Sequence, residues 1–162
     1  MLVVGVDPGI ARLGYAFVEQ NATGKLALLE GSVIETSSDL SPDRRLNFQY
    51  QALKKLLQKY RPESLAIEHV YHGANTKTVV SVGQSMGVVM LAASEVGMPV
   101  EEYTPLQVKM AVTGYGAAEK GQVQRMVKSL LGLPEILRPD DVADAVAIAI
   151  CHLNSAKMRA LA

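Results

Sequence analysis

At 162 residues, 49% of them hydrophobic and 20% charged, the chain has the composition of one ordinary globular domain, able to bury about two-thirds of its unfolded surface. Basic and acidic residues cancel to a formal net charge of zero, which excludes neither a polyanionic partner nor a neutral one. The lone Cys151 excludes an intrachain disulfide and suits a reduced, cytoplasmic protein, and the longest apolar stretch, Val79 to Val100, is too broken by Gln84, Ser85, Ser94, Glu95 and Pro99 for a membrane span.

The chain opens on Leu2-Val3-Val4-Gly5-Val6-Asp7, an apolar run that reads as a strand ending on an acid, with no basic leader before it. Pro8-Gly9 then turns the chain into a second strand, Leu13 to Glu19, and a third follows from Lys25 to Thr36, which predicts an antiparallel meander. Ser41-Pro42-Asp43 opens a helix with a cap hydroxyl, a proline at the first position and an acid in the first turn. Leu46, Tyr50, Leu53, Leu57 and Tyr60 keep helical spacing until Arg61-Pro62.

Ser64 to Glu68 is a fourth strand that again ends on an acid. It arrives after a crossover long enough to make it a parallel neighbour of the first. A polar loop leads into a helix from about Asn75 to Val96, and Met98 to Tyr103 reads as a fifth strand. Helices follow at Pro105 to Val112 and Ala118 to Leu131, and Pro139 opens a last one from Asp140 to about Met158. The order predicts an α/β fold, a mixed five-stranded sheet flanked by helices, as a single domain over residues 1–162.

Strand alternation puts Val3, Gly5 and Asp7 on one side, and Ala66 and Glu68 alternate with Leu65, Ile67 and His69. If the two strands are parallel neighbours roughly 5 Å apart, Asp7 and Glu68 end within reach of one cation. In the last helix Asp141 and Asp144 share a face, beside an apolar stripe of Val142, Val146, Ala149 and Leu153. Taken singly, Asp141 answers a helix dipole, Glu68 is a solvated strand end and Asp7 is turn chemistry. Taken together, four converging acids would repel one another unless cations neutralise them. Oxygen-only ligands favour Mg²⁺ or Mn²⁺ over zinc, and two such ions about 3.5–4 Å apart suit phosphodiester hydrolysis. Acids so neutralised leave the remaining surface positive by about four charges. His69 should point away from Glu68 and His152 lies roughly 12 Å beyond Asp144 along its helix, so both are read as packing residues.

Four segments, Gly5-Val6-Asp7-Pro8-Gly9, Ala66-Ile67-Glu68-His69-Val70-Tyr71, Ala118-Glu119-Lys120-Gly121-Gln122-Val123 and Asp141-Val142-Ala143-Asp144-Ala145, together resemble the bacterial RuvC-type Holliday junction resolvases. The resemblance spans nearly the whole chain in order. It implies an RNase H-like fold, a homodimer, and Mg²⁺-dependent paired nicks in opposing strands of a four-way DNA junction, in recombination and repair. It also implies cooperation with a branch-migration motor. Carried over by position, the catalytic, metal-binding acids are Asp7, Glu68, Asp141 and Asp144. Asp140 is a competing register that the Asp-x-x-Asp-Ala-x-Ala-Ile-Ala pattern sets aside. Tyr71 stands where the family often has a phenylalanine thought to wedge at the junction, and its hydroxyl is a departure. Stacking should survive it.

Lys109 and Lys120 match basic positions of the family. From Lys109 to Arg138 five basic residues face two acids, which suits phosphate tracking or simply a solvated helix face. Asn75, Lys77 and Gln84 are further candidate DNA contacts. The helix around Val79 to Leu91 is apolar over much of its circumference, so one face can cover the sheet while the other meets a second copy or a later helix. Two other readings stay open: a phosphate-binding hairpin of the kind in actin-like ATPases and sugar kinases, and a junction-binding dimer without nuclease activity.

Overall fold

The computed structural model describes residues 1–69 and 76–161, apart from the side chains of 76–78, 157 and 159–161. Three strands form the expected meander, β1 (Leu2–Asp7), β2 (Arg12–Gln20) and β3 (Leu26–Glu35), each antiparallel to the last. Helix α1 (Pro42–Tyr60) crosses over to β4 (Ser64–Glu68), which lies parallel to β1. Helix α2 (Thr76–Glu95) crosses to β5 (Val100–Tyr103), parallel to β4. The sheet order is β3-β2-β1-β4-β5, with α3 (Pro105–Thr113), α4 (Lys120–Leu131) and α5 (Asp140–Leu161) following in the chain.

The sheet separates two cores, as the strand alternation requires. Val4, Val6, Leu13, Phe17, Leu65 and Ile67 pack on the side of Leu53 and Leu57 of α1 and Val89, Ala92 and Ala93 of α2. Val3, Ala16, Val18 and Ala66 pack on the side of α5, with α3 and α4 beyond it. The sequence predicts a one-sided apolar stripe on α5, and the structure departs from that. Every residue from Ala145 to Leu153 is buried, because the helix is sandwiched between the sheet and α3 and α4. His152 is in this core, with Ser64 Oγ 2.8 Å from its Nε2 and Tyr103 Oη 2.9 Å from its Nδ1. A second departure is the start of α1. Ser41 has extended backbone geometry, but its side chain makes no cap bond; its hydroxyl pairs with Asp43 and holds that carboxyl below its usual range.

Two glycines let α5 reach the sheet. A Cβ on Gly5 of β1 would stand 2.0 Å from the Ala145 carbonyl oxygen and 2.7 Å from the Ala149 amide nitrogen. One on Gly14 of β2 would stand 2.4 Å from the Asp141 carbonyl oxygen. Gly14 is the strand partner of Asp7, so the first turn of α5 is seated beside the end of β1. The obstacles are backbone atoms that no rotamer change can move. Gly5→Ala is therefore expected to cost about 3 kcal/mol or more in urea denaturation. Unchanged stability would show that α5 tolerates a wider spacing from β1.

Candidate active site

β1 and β4 run parallel and end on Asp7 and Glu68, so both acids stand at one rim of the sheet on the α5 side. The seating of α5 on Gly14 brings Asp141 and Asp144 to the same rim, with side chains 27% and 30% exposed. Burial first, then the charges of Asp144, Glu68 and Asp141, push the Asp7 carboxyl up to about 7. Glu68 is raised by burial and by Asp144, against the opposing pull of Lys109 and Lys120. Asp144 is raised by burial, against a hydrogen bond from Lys120. The four acids are thus one electrostatic group.

Convergence stops short of chelation. Among the described residues no three acids or imidazoles are grouped closely enough to hold one ion as they stand. Two cationic side chains stand among the acids. Lys120 Nζ lies 2.8 Å from Asp144 Oδ2 and 3.7 Å from Asp140 Oδ2. Burial pulls this ammonium down, but the Asp144 hydrogen bond and the charges of Asp144, Asp140 and Asp7 outweigh it and hold it above its usual range. Arg12 Nη2, at the start of β2, lies 3.3 Å from Asp141 Oδ2 and 3.6 Å from Glu35 Oε1. Part of the neutralisation that sequence reasoning assigned wholly to metal is supplied by the protein itself.

Glu68, Lys109, Lys120 and Asp144 line a cleft of about 220 Å³, floored by Val108, Val123 and Ala147. A larger hollow of about 520 Å³ opens at the opposite end of the strands, around Arg61, Glu63 and Pro99, but it holds one acid and no acidic cluster. The smaller cleft is the one that adjoins the acidic rim, through Glu68 and Asp144, while Asp7 and Asp141 do not line it. Asp140 pairs with Arg138 and also faces Lys120, and its charge, like that of Asp141, raises Asp144, while Asp141 is the one of the two among the main causes that raise Asp7. His69 pairs with Glu102 across the neighbouring strand and, like buried His152, is outside the cleft.

The sequence-predicted DNA contacts are distributed unevenly. Lys109 and Lys120 lie in the cleft, whereas Gln84 is exposed on α2 and does not line it. Lys77 is in the first turn of α2 with its side chain outside the described residues, as Tyr71 and Asn75 are entirely. Arg12, paired with Asp141 at the acidic rim, is a residue that sequence reasoning missed. Its signal was its place in the Asp7 hairpin, directly opposite Glu35 in register.

Comparison with known proteins agrees along nearly the full length. The sequence model for crossover junction endodeoxyribonuclease RuvC matches residues 3–152. The RuvC of Pelotomaculum thermopropionicum is 51% identical over 154 residues, covering 95% of this chain and 93% of the relative. The structure of Thermus thermophilus RuvC superposes with a TM-score of 0.93 at 39% identity, covering 98% of this chain and 97% of that one. The same protein in complex with Holliday junction substrate gives a TM-score of 0.90 at 37% identity, covering 98% and 96%. A chain with an RNase H-like sheet, an acidic rim and this continuous similarity belongs to the crossover junction endodeoxyribonuclease RuvC family.

Proposed function

We propose that Asp7, Glu68, Asp141 and Asp144 form the catalytic, metal-binding centre of an endonuclease that resolves four-way DNA junctions by symmetric paired nicks. The observation that carries this is the coupled rim: a half-buried carboxyl at the end of β1, raised by desolvation and then by three further acids from β4 and α5. As a member of its family the chain is a crossover junction endodeoxyribonuclease.

The donor set fits a hard cation. All four side chains are carboxylates, and the stored repulsion at Asp7 is relieved by positive charge, so Mg²⁺ is the proposed cofactor, with Mn²⁺ a substitute and two ions in each subunit. When bound, such ions activate water and neutralise charge developing on a phosphodiester. The chain's own residues do the rest. The four acids would hold the ions, and Val108, Val123 and Ala147 would keep the dielectric low beside Glu68 and Asp144, whose cleft they line. Lys120 is drawn to Asp144 in competition with a cation there, and once freed its ammonium can take a DNA phosphate together with Lys109. Arg12 stands in the same relation to Asp141.

The proposed partner arrangement is a homodimer built on the outer face of α2, where Val80 and Leu91 are 56% and 54% exposed. A two-fold dimer places two equal sites against a junction of matching symmetry. Tyr71, Asn75, Lys77 and Gln84 are proposed as junction contacts, a branch-migration motor as a further partner, and the cytoplasm as the location. No helix among the described residues is long and apolar enough to cross a membrane. We also take residues 1–162 as a single nuclease domain.

Incubation with a synthetic four-way junction tests the central reading. The native chain should cut in symmetric pairs only with Mg²⁺, while Asp7→Asn binds without cutting. Lys109→Ala and Lys120→Ala should each lower the salt slope of binding by about 0.9. Equal cutting by native protein and Asp7→Asn would remove Asp7 from the mechanism, and unchanged slopes would remove the lysines from phosphate contact. Sedimentation equilibrium at micromolar concentration should give a dimer that Leu91→Arg dissociates; a native monomer would refute the α2 interface.

The raised Asp7 carboxyl also predicts a pH-dependent stability difference. A group whose folded pKa is about 7 and whose unfolded pKa is 3.8 destabilises the fold only where the unfolded chain has already ionised it. With chelator present, Asp7→Asn should therefore be the more stable protein at pH 8, by roughly 2–4 kcal/mol. The gap should narrow as pH falls through the folded value and close near the unfolded one. Thermal unfolding across that range would show it, and a pH-independent gap would contradict the coupling.

A further inference from the structure

Gln49 lies on the core-facing stripe of α1, one turn before Leu53 and two before Leu57, and none of its surface is exposed. A carboxamide in such a place is costly unless its groups are used. Here they are. Nε2 donates to the carbonyl oxygens of Gly9 at 2.6 Å and Ile10 at 3.2 Å, and Oε1 accepts from Ser85 Oγ of α2 at 3.1 Å. The amide has one sensible orientation, because the two carbonyls only accept and the hydroxyl can donate. Ser85 is itself fully buried.

The segment so held is the turn that follows Asp7. On its other side Thr36 donates its hydroxyl to the Ile10 carbonyl and its amide to the Ala11 carbonyl at 3.0 Å, and Arg45 Nε donates to Thr36 Oγ1 at 2.8 Å. The turn's carbonyls are thus clamped from beneath by α1 and from the side by the end of β3. A leucine at position 49 would serve the hydrophobic pattern of α1 better and leave the Gly9 and Ile10 carbonyls without this donor.

We propose that Gln49, oriented by Ser85, is a positioning residue for cleavage: it fixes the turn at residues 8–11 and, through the chain, the Asp7 carboxylate at the rim. The proposal rests on the catalytic reading of Asp7 given above. Positioning errors well below the width of an atom are enough to slow a reaction between aligned groups, so the effect belongs in the rate of the bound complex and not in binding.

The test compares Gln49→Leu, Ser85→Ala and Leu53→Ala with the native protein on a preassembled complex with a synthetic junction at saturating Mg²⁺. Single-turnover rate, junction affinity and backbone amide exchange of residues 9–12 are measured. Gln49→Leu should cut about tenfold more slowly with affinity within about twofold of native, and its turn amides should exchange about tenfold faster. Ser85→Ala should show the same pattern at smaller amplitude, and it decides the matter if Gln49→Leu does not fold. Leu53→Ala, which empties core volume one turn away, should lose stability while its folded fraction cuts at the native rate. A loosened turn with native cutting would overturn the positioning role and leave Asp7's role standing. Unchanged amide exchange, or equal slowing in Leu53→Ala, would overturn it as well. Normal cutting by Asp7→Asn would instead remove the reading on which the proposal rests.

Discussion

The close approach of α5 to the sheet is the constraint on which the site depends. Gly5 and Gly14 present no side chain on the face that α5 covers, so the Ala145 and Asp141 carbonyls lie where a Cβ would otherwise stand. These contacts are one helical turn apart and fall on adjacent strands, which sets the helix axis across β1 and β2. From that seating the first turn of α5 must overhang the end of β1, and two of the four acids arrive beside the other two. A larger residue at either glycine would lift the helix and separate the carboxylates before it affected any of them directly.

Charge then decides how the rim behaves. Burial at the ends of β1 and β4 makes ionisation expensive, and the neighbouring acids make it more so, which is why Asp7 is raised so far above an ordinary aspartate. The protein offsets part of this with Lys120 on Asp144 and Arg12 on Asp141. Both cationic side chains are partly exposed, 44% for Arg12 and 55% for Lys120, so solvent screens these pairs.

Beneath the rim, polar groups are used sparingly and for position. The described residues contain no buried side-chain nitrogen or oxygen without a hydrogen-bond partner. Gln49, itself held by Ser85, reaches the turn after Asp7, while His152 ties Ser64 and Tyr103 into the opposite core. Buried Cys151, its thiol pushed up to about 11 by burial, is on the all-round buried stretch of α5 and serves as a small core residue.

Much of this was legible along the chain because it is written in short-range patterns. Alternation named the strands and the faces of Asp7 and Glu68, the crossover length paired β1 with β4, and helical spacing put Asp141 and Asp144 together. The four motifs in order pointed to the family. Less was legible where a residue's partner is distant in sequence. Arg12 meets Asp141 across the whole chain, and Gln49 reads as a flaw in an amphipathic helix until its partners forty residues earlier are in place. The apolar circumference of α5 looked like a stripe because periodicity reports one covered face, and only the packing of α3 and α4 covers the other. Ser41 carried a cap signal that a nearer acid redirected. The sequence by itself determined the elements, their order and the identity of the acids, since these depend on neighbours within a few residues. Tertiary structure alone decided how near the acids lie, which cations answer them and what holds the turn, since those follow from contacts made only when distant segments are packed together.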